Sequence, residues 1–476
     1  MADPEYRTAR QWIDDLVDEG SWESWDTDPD RAGLDPDYAA ELARATERTG
    51  ADESVITGAG MVGGIRVALV VSDFRFLAGS IGRDAGVRVV GALQRATSER
   101  LAVVALPSSG GTRMQEGTPA FLQMTAIAAA VNRHKASGLP YLVYLRHPTT
   151  GGVFASWGSQ GHITWAQPGA LVGFLGPRVV EALTGDAMPD GVQTSENLHR
   201  QGLVDAVVAS AELAAIIAKT LSLLHVRPDT GSTLWTPGGR AAESAPTAWD
   251  AVTATRAPGR VGLRELLDRV ETVTISDDGP VWLGFARFGR HPVVVVGHDR
   301  VVQESGRLIG PADLRRCRRG IALAAGLRLP LVTVIDTPGA ELSAAAESGG
   351  IAGEISCCTA ELLESATRTV SVLLGQGGGG AALALFPADR VVAASDAWLS
   401  PLPPEGASVI VYRDTDHAAQ MAGRQGILAR ELADRGAVDV VVDLARDGLD
   451  GLAACIVEQL DAEVSGDHRA RVLGPR

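Results

Sequence analysis

Short apolar runs bounded by proline and glycine recur along the chain. Leu101–Leu106 (LAVVAL) runs into PSSGG, and Leu329–Ile335 (LPLVTVI) runs into DTPGA. Neither alternates polar with apolar residues, so each reads as a strand buried on both faces. Tyr141–Leu145 (YLVYL) and Val370–Leu374 (VSVLL) have the same character and lead into RHPTTGGVFAS and GQGGGGAALAL. Between these runs the apolar spacing turns helical, at Thr118–His134 and Ala312–Leu327. The alternation predicts an α/β fold with largely parallel strand pairing.

The pattern occurs twice. Gly111 and Gly339 lie 228 residues apart, Tyr141 and Val370 229, Gly152 and Gly380 228, and Pro177 and Pro404 227. A near-constant offset across four landmarks implies two copies of one domain, with a period far too long for a solenoid. The first copy is expected over 61–226 and the second over 261–476. Residues 227–260, rich in Pro, Gly, Thr and Ala, read as a linker with a short helix around Trp249. Ala211–His225 has helical spacing and should close the first copy. Residues 1–60 form a prelude with an amphipathic helix over Glu5–Glu19 and two packing tryptophans, Trp22 and Trp25.

Composition narrows the class. The 476 residues are 45% hydrophobic and 21% charged, enough apolar surface for real cores. The net charge of −15 argues against a nucleic-acid partner, since phosphate neutralisation needs basic surface. The N-terminal stretch has no apolar core of a signal peptide, and no run reaches ~18 apolar residues, so a cytoplasmic protein without a membrane span is expected. Cys317, Cys357, Cys358 and Cys455 form no CxxC pair, and no metal is expected.

Several motifs fail on context. GAGMVG at Gly58–Gly63 satisfies GxGxxG, yet a strand follows it where a dinucleotide site needs a helix, so it reads as a turn. Neither lysine, Lys135 nor Lys219, follows a glycine, so there is no P-loop and no bound nucleotide is expected. Around Ser159, Trp157 occupies the first glycine position of a nucleophile elbow. His134, His147 and His298 lack metal spacing and read as structural.

What remains is glycine at strand-to-helix junctions, twice per copy. The first copy has SSGGTRMQEG (Ser108–Gly117) and TTGGV (Thr149–Val153); the second has DTPGAEL (Asp336–Leu342) and GQGGGGAA (Gly375–Ala382). Glycine lets backbone N–H groups approach a ligand closely, and two N–H groups aimed at one point form an oxyanion hole. Such a device holds a thioester enolate and needs no nucleophile from the protein.

These segments resemble a known family. SGGTRMQEG (Ser109–Gly117), GLPYLVYLRHPTTGGVFASWG (Gly138–Gly158) and AQPGALVGFLGPRVVE (Ala166–Glu181) resemble the β subunit of bacterial acetyl-CoA carboxylase carboxyltransferase. LPLVTVIDTPGAEL (Leu329–Leu342), GQGGGGAALAL (Gly375–Leu385) and PLPPEGASVI (Pro401–Ile410) resemble its α subunit. The whole is similar to a fused β–α carboxyltransferase of the biotin-dependent acyl-CoA carboxylases, actinobacterial single-chain type.

The resemblance implies two tandem crotonase-like domains and transfer of a carboxyl group from carboxybiotin to a short-chain acyl-CoA, acetyl-CoA or similar. It implies biotin carried by a partner subunit, with a biotin carboxylase, and a homodimer or higher homo-oligomer whose site joins the N-domain of one copy to the C-domain of another. Catalytic N–H groups fall at Gly151 and Gly152 on the acyl-CoA side and at Gly380 and Ala381 on the biotin side. Gly110, Gly111 and Arg113 shape the CoA side, and Ala384 bears on acyl selectivity. The chain departs from the family in having Ala381 where a glycine is usual. It also has no cysteine before Cys317 to build the β subunit's zinc module. A biotin-independent malonyl-thioester decarboxylase and a non-catalytic acyl-CoA- or carrier-binding subunit are the alternative readings.

Overall fold

The computed structural model describes residues 7–225 and 247–463, and every count below refers to these. The chain divides into two compact units, Met1–Ser222 and Leu223–Arg476.

The first unit opens with α1 (Ala9–Leu16), β1 (Glu23–Ser24) and α2 (Pro36–Thr49). A hairpin of β2 (Val55–Val62) and β3 (Ile65–Ser72) follows, then α3 (Arg83–Ser98), β4 (Ala102–Leu106), α4 (Thr118–Ala136) and β5 (Tyr141–Leu145). Next come β6 (Thr149–Thr150), α5 (Gly151–Phe154), β7 (Ile163–Ala166), β8 (Val172–Gly173), α6 (Pro177–Thr184), β9 (Ala206–Val207) and α7 (Leu213–Leu224). The main sheet has seven strands in the order β1-β2-β3-β4-β5-β7-β9. Pairing is antiparallel up to β3 and parallel beyond it. β6 and β8 form a small separate parallel pair.

The second unit repeats this plan. α8 (Ala248–Thr255) precedes β10 (Glu271–Ser276), β11 (Val281–Phe288), β12 (His291–His298), α9 (Pro311–Leu327), β13 (Leu331–Thr337) and α10 (Ile351–Glu364). After these come β14 (Thr369–Gly378), α11 (Gly379–Leu383), β15 (Arg390–Ala394), β16 (Trp398–Ser400), α12 (Pro404–Tyr412), β17 (Val440–Val442) and α13 (Leu444–Asp461). The path is β10-β11-β12-β13-β14-β15-β17, with β16 added to the end of β14. Again the first pairings are antiparallel and the rest parallel.

Parallel strands bury both faces, which is why their sequences are continuously apolar. All of Tyr141–Leu145 is buried, and so is all of Leu331–Thr337. In the first unit, Ile81, Val89 and Leu93 from and before α3, with Ile127 and Val131 from α4, cover Val103, Ala105 and Val143 of the sheet.

Three expectations need correction. The N-terminal helix runs only from Ala9 to Leu16, capped by the Thr8 side chain. Gly58–Val62 is strand rather than turn, and the reversal falls at Gly63–Gly64, both at positive φ. Its glycines serve packing: a Cβ on Gly58 would strike the Trp22 ring and the Glu23 carbonyl. The part of 227–260 that is described folds onto the second unit. The Trp398 indole N–H donates to Thr255 Oγ1 at 2.8 Å, and Arg260 pairs with Asp396. Residues 226–246 lie outside the described residues.

Candidate active site

In the first unit the loop after β4 lies backbone on backbone against the start of α5. The Thr150 N–H donates to the Ser109 carbonyl at 2.8 Å, and the Ser109 N–H to the Pro148 carbonyl at 2.8 Å. A Cβ on Gly111 would sit 3.3 Å from the Gly152 nitrogen. Gly151, at φ +66°, would put one 3.1 Å from the Gly110 carbonyl oxygen. Only glycine permits that approach at both positions.

The second unit repeats the main hydrogen bonds of this arrangement. The Gly111 N–H donates to Ser109 Oγ at 3.0 Å; the Gly339 N–H donates to Thr337 Oγ1 at 3.1 Å. Ile81 bridges Thr112, and Ile309 bridges Ala340. The Arg113 N–H donates to the Ile81 carbonyl at 3.0 Å and the Glu341 N–H to the Ile309 carbonyl at 2.9 Å. Gly151 and Gly379 both open their helices at positive φ, +66° and +62°. A Cβ on Gly378 would come within 3.1 Å of the Gly339 nitrogen.

First-turn N–H groups have no acceptor inside their helix. Gly152 occupies that place in α5, and Gly380 with Ala381 in α11. Gly151 differs, because its N–H is already engaged by the Phe174 carbonyl at 2.9 Å. Of the expected pair, Gly151 has its N–H taken up within the fold, and Gly152 presents a first-turn N–H of α5. Ala381 matches Val153, and both side chains are buried, so an alanine there is compatible with the helix start.

The other expected residues divide. Gly110 donates its N–H to the Ala78 carbonyl, which fixes the loop. Arg113 is 1% exposed, and its guanidinium binds both oxygens of Glu53, the Ser54 hydroxyl and the Ser80 carbonyl. The side chain holds the loop from below and presents nothing to a ligand. Ala384 is fully buried, whereas Leu383 beside it is 49% exposed. The Ala384 side chain therefore belongs to the core and the Leu383 side chain to the surface.

Sequence reasoning missed Ser109 and Thr337, although their 228-residue offset was available. It also missed exposed apolar side chains at matched positions around the two sites: Met114 with Leu342, and Phe174 with Leu402. The histidines are structural. His134 is buried between Thr97 and Pro140, His147 accepts from the Leu171 N–H, and His298 Nδ1 accepts from the Asp336 N–H. Burial pushes the Asp336 carboxyl up to about 6 despite Arg260 nearby, and pushes the His298 imidazole down to about 3. Among the described residues, no three His, Cys, Asp or Glu side chains gather as a metal site, and no helix is long and apolar enough to cross a membrane.

Known proteins share this plan. Residues 5–272 match the carboxyl transferase domain family, and 247–469 match the acetyl co-enzyme A carboxylase carboxyltransferase-like family. The chain belongs to the carboxyltransferases of the biotin-dependent acyl-CoA carboxylases, with the β-like and α-like halves joined in one polypeptide. It is 55% identical over 443 residues to a probable biotin-dependent acyl-coenzyme A carboxylase beta3 subunit of Mycobacterium tuberculosis, covering 91% of this chain and 89% of that one. It is 36% identical over 458 residues to the acetyl-coenzyme A carboxylase carboxyl transferase subunits beta/alpha of Salinispora arenicola, covering 90% and 80%. The crystal structure of the transcarboxylase 12S hexamer with bound methylmalonyl-coenzyme A superposes with a TM-score of 0.76 at 20% identity, over 97% of this chain and 92% of that one. A single-chain long-chain acyl-CoA carboxylase gives 0.73 at 18% identity, over 95% and 46%. Both units are thus crotonase-like domains.

Proposed function

We propose that the chain moves a carboxyl group from carboxybiotin, borne by a separate carrier protein, to the α-carbon of a short-chain acyl-CoA. The carrying observation is the duplicated backbone site: Ser109–Gly111 set against Gly152, and Pro338–Gly339 set against Gly378, two residues before Gly380. Backbone donors suit this chemistry, because both substrates develop charge on a carbonyl-type oxygen.

On this reading the first unit holds the thioester oxygen. As the α-proton leaves, negative charge gathers on that oxygen and the Gly152 N–H stabilises it. The second unit's run of backbone without side chains, Gly377–Gly380, fits a flat uncharged ring whose oxygen points at the start of α11. Carboxybiotin bound there supplies CO2 and a ring nitrogen that can take the proton. Leu383, exposed beside that site, bears on which acyl chain is accepted. No titratable side chain of the chain needs to act as base.

The exposed Met114, Phe174, Leu342 and Leu402 support a homo-oligomer, in which the first-unit site of one copy works with the second-unit site of another. The same reading places the enzyme in the cytoplasm, with a biotin carboxylase and biotin carrier as partners.

The test is turnover of carboxylated biotin carrier with a panel of acyl-CoAs, with malonyl-CoA alone as control. Carrier-dependent carboxylation of at least one short acyl-CoA supports the reading. Release of CO2 from malonyl-CoA with no transfer would replace it with a decarboxylase.

A further inference from the structure

The first unit buries a cation where its two site loops begin. Arg146 follows β5 and is 3% exposed. Its Nε and Nη2 donate to the Leu106 carbonyl at 3.2 and 2.7 Å, and Nη2 also donates to the Ser72 carbonyl. The fork thereby ties the end of β5 to the ends of β4 and β3. Its backbone continues the knot. The Arg146 N–H donates to the Pro107 carbonyl at 3.0 Å, which also accepts from Thr149 Oγ1 at 3.0 Å. Thr149 Oγ1 bonds the Arg146 carbonyl at 2.7 Å. Pro107 leads into the Ser108–Gly117 loop, and Thr149 leads into Gly151 and Gly152.

Trp12 of α1 roofs the guanidinium, its ring centroid 5.2 Å away. Among the described residues no carboxylate forms an ion pair with Arg146; Asp73, which accepts the Ala9 N–H, is the main influence of opposite sign. A guanidinium keeps its proton at neutral pH even where burial disfavours the charge. The second unit handles the same point differently. Leu374 stands 228 residues after Arg146, and its carbonyl is held by Arg260, whose charge is matched by Asp396 at 3.0 Å. At this position, among the described residues, the unmatched cation belongs to the first unit.

We propose that Arg146, roofed by Trp12, is the positioning residue of the first-unit site: its fork fixes the ends of β3, β4 and β5, from which the Ser109–Gly111 loop and the Thr149–Gly152 segment leave, and so keeps those two segments in register for the Gly152 N–H to meet the thioester oxygen. The catalytic part of this statement rests on the carboxyltransferase reading above.

The test is Arg146→Lys in the full chain, with Trp12→Leu as a second variant. Lysine keeps the charge but cannot bond the Leu106 and Ser72 carbonyls with one planar fork. Amide hydrogen exchange should speed up at 107–112 and 146–152 while α3 and β7 stay as in wild type. Transfer, normalised to folded protein, should lose on the order of 10- to 100-fold in kcat with KM for acyl-CoA nearly unchanged, because the defect is orientation. Trp12→Leu should give a smaller loss of the same kind. Wild-type exchange at both segments, or uniform loosening of the whole unit, would overturn the proposal. So would an undiminished kcat or a loss carried by KM. A wild-type chain that transfers nothing would instead refute the carboxyltransferase reading, while the exchange pattern would still decide the positioning role.

Discussion

The Gly151 N–H donates to the Phe174 carbonyl at 2.9 Å. That bond ties the start of α5 to the strand end at β8, and in the proposed function it leaves the Gly152 N–H for the thioester oxygen. It also fixes what a side chain at 152 would meet: a Cβ there lies 3.2 Å from both Met124 Cγ and Thr112 Oγ1. Gly152→Val should therefore shift α5 as well as crowd the oxygen site. We expect kcat/KM to fall by about 10²–10³, with a moderate drop in Tm from overpacking. Melting and carrier-dependent turnover on one sample check this. A destabilised variant with normal turnover per folded molecule would make Gly152 a packing residue only.

Arg113 gives a contrasting expectation. Arg113→Met leaves Glu53, which is buried, without its partner, a change that typically costs about 3–5 kcal/mol. Chemical denaturation should show that loss. KM for acyl-CoA in the folded fraction should stay near wild type, because the guanidinium lies beneath the loop.

Leu383 and Ala384 separate selectivity from packing. Leu383→Asp should change the ranking of acyl-CoAs in kcat/KM and leave Tm within a few degrees. Ala384→Val, at a fully buried position, should cost about 1–3 kcal/mol and leave the ranking intact. Competition between acetyl-CoA and longer acyl-CoAs reads the first, and thermal melting the second.

The pair Asp336 and His298 should leave a signature in stability against pH. Asp336 holds its proton more tightly folded, about 6, than its model-peptide value of 3.8. Folded protein thus binds more protons than unfolded between pH 4 and 6, and this group lowers stability as pH rises through that window. His298 has the opposite sign. Its folded value near 3 lies below 6.5, so stability falls as pH drops below 6.5. The two slopes oppose each other around pH 5. Asp336→Asn should unmask the histidine, giving stability that rises with pH from 4 to 6. Denaturation midpoints across that range test it, and equal slopes in variant and wild type would contradict it.

The repeat, the parallel strands and the glycine loops were legible because burial on both faces and close backbone approach each demand a narrow residue set. Leu329–Ile335 could be little else than a central strand; the observed strand, Leu331–Thr337, runs two residues further. Side-chain direction was not legible. Arg113 in a polar loop looks exposed, and it is drawn inward by partners distant in sequence, among them the carboxylate of Glu53, 60 residues earlier. Likewise Ala384 and Leu383 differ by one step around a short helix, and no pattern in five residues sets its phase. The bond from the Gly151 N–H to the Phe174 carbonyl is not legible for a similar reason: the two residues are remote in sequence.

The central claim is that two equivalent backbone sites, one per unit, carry out one carboxyl transfer. Its most direct measurement is movement of labelled carboxyl from biotin carrier to acyl-CoA by wild type, by Gly152→Val, by Gly380→Val, and by the two variants unfolded and refolded together. Wild type should transfer, each variant alone should lose transfer, and the mixture should partly recover it, where an intact first-unit site of one copy meets an intact second-unit site of another. Transfer at the wild-type rate by either variant alone would contradict it.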